Sequence, residues 1–126
     1  MNSNLYGIEG RKPNENRDCV VRALTVAANI PYEIAWLATA IKGRRKGCGM
    51  YDKDWLPTFK ANGLCNDADK LDYVDIKLFE MAGTLDNVII CIKGHLFAIR
   101  NGIHSDGVGR KPIVNKSNFV AAWRIR

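Results

Sequence analysis

From Cys19 onward, the apolar residues Val20, Ala23, Leu24, Ala27 and Ala28 recur at the three- and four-residue spacing of a core-facing helical stripe. They predict a helix of about three turns. Asp18 is a favourable N-cap, which puts Cys19 at the first helical position, where backbone N–H groups lack intrahelical partners. A second helix is predicted over 31–42, with Pro31 at its start, Ile34, Leu37, Ala38 and Ile41 as its inward stripe and Gly43 as its stop. A third is predicted over 52–61, ended by Asn62-Gly63, with Pro57 restricting its first turns. A short fourth helix, capped by Asp75, runs to Ala82 and stops at Gly83.

The period then changes. Residues 88–92 form an apolar, β-branched run, and Lys93-Gly94 separates it from His95-Leu96-Phe97-Ala98-Ile99-Arg100. Asn101-Gly102, the strongest short hairpin signal, leads into Ile103-His104-Ser105-Asp106, and 119–126 reads as a last strand. Helices first and an antiparallel sheet afterwards make an α+β order. The 126 residues are the length of one domain, 1–126, with 1–13 as a flexible polar lead; there is no internal repeat.

Apolar residues make up 47% of the chain, enough for one core without disulfide help. The lead lacks the apolar run of a signal peptide, and no stretch reaches the ~20 apolar residues of a membrane span. A soluble, cytoplasmic protein with free thiols at Cys19, Cys48, Cys65 and Cys91 is expected, with no membrane partner. No C-x-x-C or H-x-x-x-H pair is present to clamp a metal, so neither metal nor cofactor is expected. The net charge of +6 suits an acidic partner such as nucleic acid. Its distribution disfavours that reading: Lys42, Arg44, Arg45 and Lys46 form a loop run read as a solvated surface, and 67–75 is acidic.

The segments Asn16-Arg17-Asp18-Cys19-Val20-Val21-Arg22-Ala23-Leu24 and Gly94-His95-Leu96-Phe97-Ala98-Ile99 resemble, in that order, the nucleophile helix and histidine strand of papain-like cysteine peptidases. More closely they look like the compact versions found in phages and bacteria. The likeness covers nearly the whole chain in element order. It implies a papain-like fold, N-terminal helices packed on a C-terminal antiparallel sheet, and a thiol-dependent hydrolase of peptide, isopeptide or related amide bonds. A peptide or protein is then the substrate.

The residues can be checked against that chemistry. A free cysteine of pKa ~8.5 is only a few per cent thiolate at neutral pH and needs activation. A helix N-terminus and a nearby imidazolium both favour the anion, and Cys19 and His95 supply those two influences. With a two-residue Asn-Gly turn, Arg100 pairs with Ile103, Ile99 with His104 and Phe97 with Asp106. Asp106 then shares a face with His95, diagonally ~7–8 Å away between backbones, and orients the imidazole. Asn101 is the fallback orienter. The family places a glutamine upstream of the cysteine for the oxyanion; this sequence has none, leaving Asn14 or Asn16 beside the Cys19 N–H.

The same residues admit blander roles. Cys65 and Cys91 read as core residues, and Cys48 as an exposed loop thiol. His104 falls on the predicted face of His95 and competes for the role of base. Trp36 and Trp55 read as core, with Tyr51 and Trp55 as alternative groove-lining residues. A papain-like fold without catalysis, binding a host protein, or nucleic acid through its basic loops, is the rival function.

Overall fold

The computed structural model describes residues 18–44, 52–106 and 112–126. Helix α1 (Cys19–Ala28) is followed by α2 (Tyr32–Ile41) and α3 (Asp52–Ala61). A single 3₁₀ turn, Asp67–Asp69, leads into β1 (Lys70–Leu71) and α4 (Tyr73–Met81). Strands β2 (Val88–Ile92), β3 (His95–Arg100), β4 (Ile103–His104) and β5 (Phe119–Arg124) complete an antiparallel sheet in the order β1-β5-β2-β3-β4. The architecture is α+β.

The sheet has helices on both faces. Ile89 and Cys91 of β2, Leu96 and Ala98 of β3, and Ala121 and Trp123 of β5 face a core built with α1, Tyr32, Ala35, Trp55 and Phe59. Val88, Ile90, Phe97, Ile99 and Ala122 face the other way, toward Ile76 of α4 and Val114. Burial on both faces explains why β2 is an unbroken apolar run rather than an alternating one. The register of β5 against β2 shifts between Cys91 and Ile92, which pair with Ala121 and Phe119. The extra residue, Val120, lets Phe119 join the face of Ala122.

Helix α1 is the centre of the first layer. Val21, Thr25 and Val26 are buried as well as the predicted Val20, Ala23, Leu24 and Ala27, while Ala28 is only half-buried. It lies mainly across β3. The Arg100 guanidinium of β3 donates to the Ala27 carbonyl, placing a cation on the negative end of the helix. Asn29 ends α1 in the left-handed conformation. Among the described residues no single helix is long and apolar enough to cross a membrane; α1 and α2 reach that length only as a pair bent by 119°.

Three local expectations are corrected. Helix α2 buries Tyr32, Ala35 and Thr39, whereas the predicted stripe residues Ile34, Leu37 and Ile41 are 51%, 52% and 81% exposed. The segment is apolar almost all round, so periodicity does not choose its inner face; the buried Tyr32 and the small Ala35 and Thr39 do. Helix α4 is capped by Asp72, not Asp75. Asp75 closes the capping box from the third helical position, each carboxylate accepting the other residue's backbone N–H. Arg44, read as part of a solvated run, is buried.

Two carboxylates of the acidic stretch have basic partners. Lys60 pairs with Asp67 and Arg126 with Asp69, both at 2.6 Å, and each partner holds its carboxyl below the usual range. The two-residue β1 beside it escapes period counting because so short a strand has no period to show.

Candidate active site

Cys19 opens α1 and His95 opens β3, so the placement of both follows from where two elements begin. The Gly94 turn before β3 has a φ of 72°, a conformation that glycine adopts without Cβ strain. By alternation His95 belongs with Phe97 and Ile99, and its ring stacks on Phe97 at 6.1 Å. Among the described residues β4 pairs only with Ile99 and Arg100, at the far end of β3 from His95, and His95 interacts with Cys19.

The hairpin has the expected register for two pairs, Arg100 with Ile103 and Ile99 with His104, around a turn in which Asn101 and Gly102 both have positive φ. Asn101 is exposed and serves the turn. The Asp86 carboxylate accepts the Gly102 N–H at 3.1 Å and ties that turn to the start of β2.

The expected Phe97–Asp106 pair does not form. Ser105 N–H still donates to the Ala98 carbonyl at 2.9 Å, but the Ala98 N–H is taken at 3.0 Å by the Ser105 hydroxyl. The Ser105 carbonyl instead accepts from Arg22 Nη1 at 3.3 Å. By substituting a side chain for a ladder carbonyl, the fully buried Ser105 ends the strand and turns Asp106 toward the imidazole. Both Asp106 oxygens lie 3.0 Å from His95 Nε2.

His95 thus stands between Asp106, whose carboxylate it meets at 3.0 Å, and Cys19, with which it interacts electrostatically. Burial acts to raise the Cys19 pKa, but the His95 hydrogen bond, the Leu96 backbone N–H and the charges of His95 and Arg22 outweigh it, and the thiol is pulled below its ordinary value. His95 is raised to about 9, first by the Asp106 hydrogen bond and then by Cys19, against the opposing effect of burial. Both shifts favour the thiolate–imidazolium form of the pair over the neutral one. Compared with protein-family models, curated proteins and solved structures, the chain matches none.

Asp18 departs from expectation. It stands at the N-cap, yet its side chain makes no capping hydrogen bond to α1. It is fully buried, and its oxygens accept from Arg22 Nε at 3.0 Å and from the Tyr32 hydroxyl at 2.7 Å. A buried carboxylate needs an opposite charge and full hydrogen bonding more than a helix end needs a cap. Arg22 then continues to Asp106, its Nη1 lying 3.3 Å from Oδ1.

Arg22, Tyr32 and Ser105 were not singled out from sequence. Arg22 carried a signal: it is the one charge in an otherwise uncharged ten-residue helix, four residues after Asp18. His104 pairs opposite Ile99, four residues along β3 from His95, ~13 Å at strand rise, and the thiol's imidazole partner is His95. Cys65 and Cys91 are buried, as is Trp55 beneath the sheet, while Trp36 packs at the core margin. Asn14, Asn16, Cys48 and Tyr51 lie outside the described residues. Among the described residues no three His, Cys, Asp or Glu side chains gather as metal ligands would.

Proposed function

We propose that the chain is a papain-like thiol hydrolase of peptide, isopeptide or related amide bonds, with Cys19 as nucleophile, His95 as proton carrier and Asp106 as its orienter. The observation that carries this reading is the imidazole held on both sides, by Asp106 at Nε2 and by the helix-start thiol of Cys19.

The thiolate of Cys19 attacks the carbonyl carbon, forming a C–S bond as the π electrons move to oxygen. The tetrahedral intermediate collapses by breaking the C–N bond, and His95 gives its proton to the departing amine. Water then attacks the thioester with neutral His95 taking its proton. The carboxylic acid leaves, and the thiolate–imidazolium pair is restored. The Cys19 N–H at the helix start, with Asn14 or Asn16, is assigned to the oxyanion. An amine or ammonia as the second nucleophile or leaving group gives transfer or deamidation at the same residues.

The deciding measurement is release of a reporter from peptide and isopeptide substrates, alongside iodoacetamide labelling of Cys19 near neutral pH. Turnover abolished by Cys19→Ala, with labelling slowed by His95→Ala, supports the reading; equal labelling of wild type and His95→Ala removes the ion pair.

The missing glutamine and the charge of +6 favour a second reading, a fold of this type that binds without turnover, engaging a host protein or nucleic acid. Titration with DNA and RNA over a salt series tests its nucleic-acid form, because phosphate contacts weaken steeply with salt. No binding at low salt ends that form.

A further inference from the structure

We propose that Arg22 is a positioning residue for this site: anchored by the buried Asp18 carboxylate, it holds Asp106 and the Ser105 carbonyl so that Asp106 stays square on His95. The proposal rests on the Cys19–His95–Asp106 reading for its purpose, but on its own contacts for its geometry.

Asp106 follows a two-residue strand, where regular pairing has already stopped. Among the described residues its side-chain contacts are His95 and Arg22. Holding it falls to Arg22, whose planar guanidinium spans Asp18 with Nε and both Ser105 O and Asp106 Oδ1 with Nη1. A lysine offers a point charge and cannot span three acceptors in that fan. Asp18 is itself fixed by the Tyr32 hydroxyl from α2, so the alignment of Asp106 is referred back to the packing of two helices. The diverted Asp18 side chain fits this role: as a cap it would set a negative charge on the first N–H groups of α1, beside the thiolate. The charged and titratable groups facing one another here are Asp18 and Arg22 from α1, Cys19 at its start, Tyr32 from α2, His95 from β3 and Asp106 after β4.

Position and charge predict opposite signs. If Arg22 acted only as a nearby cation, it would disfavour the imidazolium, and its removal together with the Asp18 charge it is paired with would leave the His95 midpoint in place or raise it. If it positions Asp106, its removal frees the carboxylate and the midpoint falls.

The test is an NMR titration of the imidazoles in Cys19→Ala protein, which separates the result from thiol chemistry. The chain has two histidines, and His104→Gln assigns them. The paired substitution Asp18→Asn with Arg22→Met avoids leaving a buried carboxylate unpaired. It is expected to lower the His95 midpoint by about one unit or more, most of the way to the Asp106→Asn value, with Arg22→Lys between. A folded paired variant whose His95 midpoint stays put or rises overturns the proposal. A lowered midpoint combined with no thiol reactivity in wild type leaves the positioning intact and removes the hydrolase reading.

Discussion

His95 Nε2 is equidistant from the two carboxylate oxygens of Asp106, at 3.0 Å from each. A proton on Nε2 is shared between two acceptors, and the negative charge is spread across the ring edge rather than aimed from one corner. This contact is the foremost reason His95 stays protonated through neutral pH. Asp106→Asn keeps the shape and removes the charge. We expect iodoacetamide labelling of Cys19 near neutral pH to slow about tenfold, one pKa unit being a tenfold change in population. An unchanged labelling rate would mean that Asp106 has no hold on the ion pair.

The pH profile follows from two opposite shifts. His95 is a base raised to about 9, so its contribution to folding is fully present below its ordinary 6.5 and is lost as pH rises through about 9. Cys19 is an acid with a lowered pKa, so its contribution is present above the ordinary thiol value and is lost as pH falls through its depressed one. Between these limits lies the ion pair. Labelling should begin to rise below the ordinary thiol range, then rise again near about 9 as the imidazolium deprotonates and releases the thiolate. His95→Ala should give a single step, moved toward alkaline pH because the lowering effects of the imidazole are gone while burial remains. A single ordinary step in wild type would overturn the assignment.

The platform beneath the site can be tested separately. Trp55 of α3 is buried, with its ring edge-on to Phe59 at 5.2 Å and to Trp123 of β5 at 5.4 Å. Trp55→Ala removes the largest fully buried side chain and should cost about 3–5 kcal/mol in denaturant unfolding. Its effect on thiol labelling in the remaining folded protein should be small, since the rings it packs on, Phe59 and Trp123, belong to the core. A loss below ~1 kcal/mol would show that the three rings are not packed as described.

Much of this was legible in the sequence wherever local chemistry and tertiary demand agree. The stripe of α1, the exact span of α3, the apolar run of β2 and the Asn101-Gly102 turn with its register all come from short-range patterns. Legibility fails where distant residues decide. An aspartate before a helix reads as a cap, but Asp18 is claimed by Arg22 and by Tyr32 on another helix, and no local preference announces that. The inner face of α2 is likewise chosen by what Tyr32 bonds to, since both of its faces are apolar. At the site, the resemblance points to Cys19 and His95 and the hairpin register to Asp106, and these three side chains lie together. Asp106 arrives there by a route that ladder counting misses, the Ser105 hydroxyl replacing a backbone carbonyl.

That replacement gives Ser105 a consequence beyond its size. Ser105→Ala removes the acceptor for the buried Ala98 N–H, and an unsatisfied buried amide costs about 1–3 kcal/mol. The chain can recover part of this by turning the Ser105-position carbonyl back to Ala98, as in a regular ladder. That rotation takes the carbonyl from Arg22 and swings Asp106 off His95. The variant should therefore lose stability and lower the His95 midpoint together, whereas Ser105→Thr, which keeps the hydroxyl, should retain the midpoint if the added methyl is accommodated. Urea unfolding read beside the imidazole titration checks both effects. Stability lost with the midpoint unmoved would confine Ser105 to holding the strand and leave the aim of Asp106 to Arg22 alone.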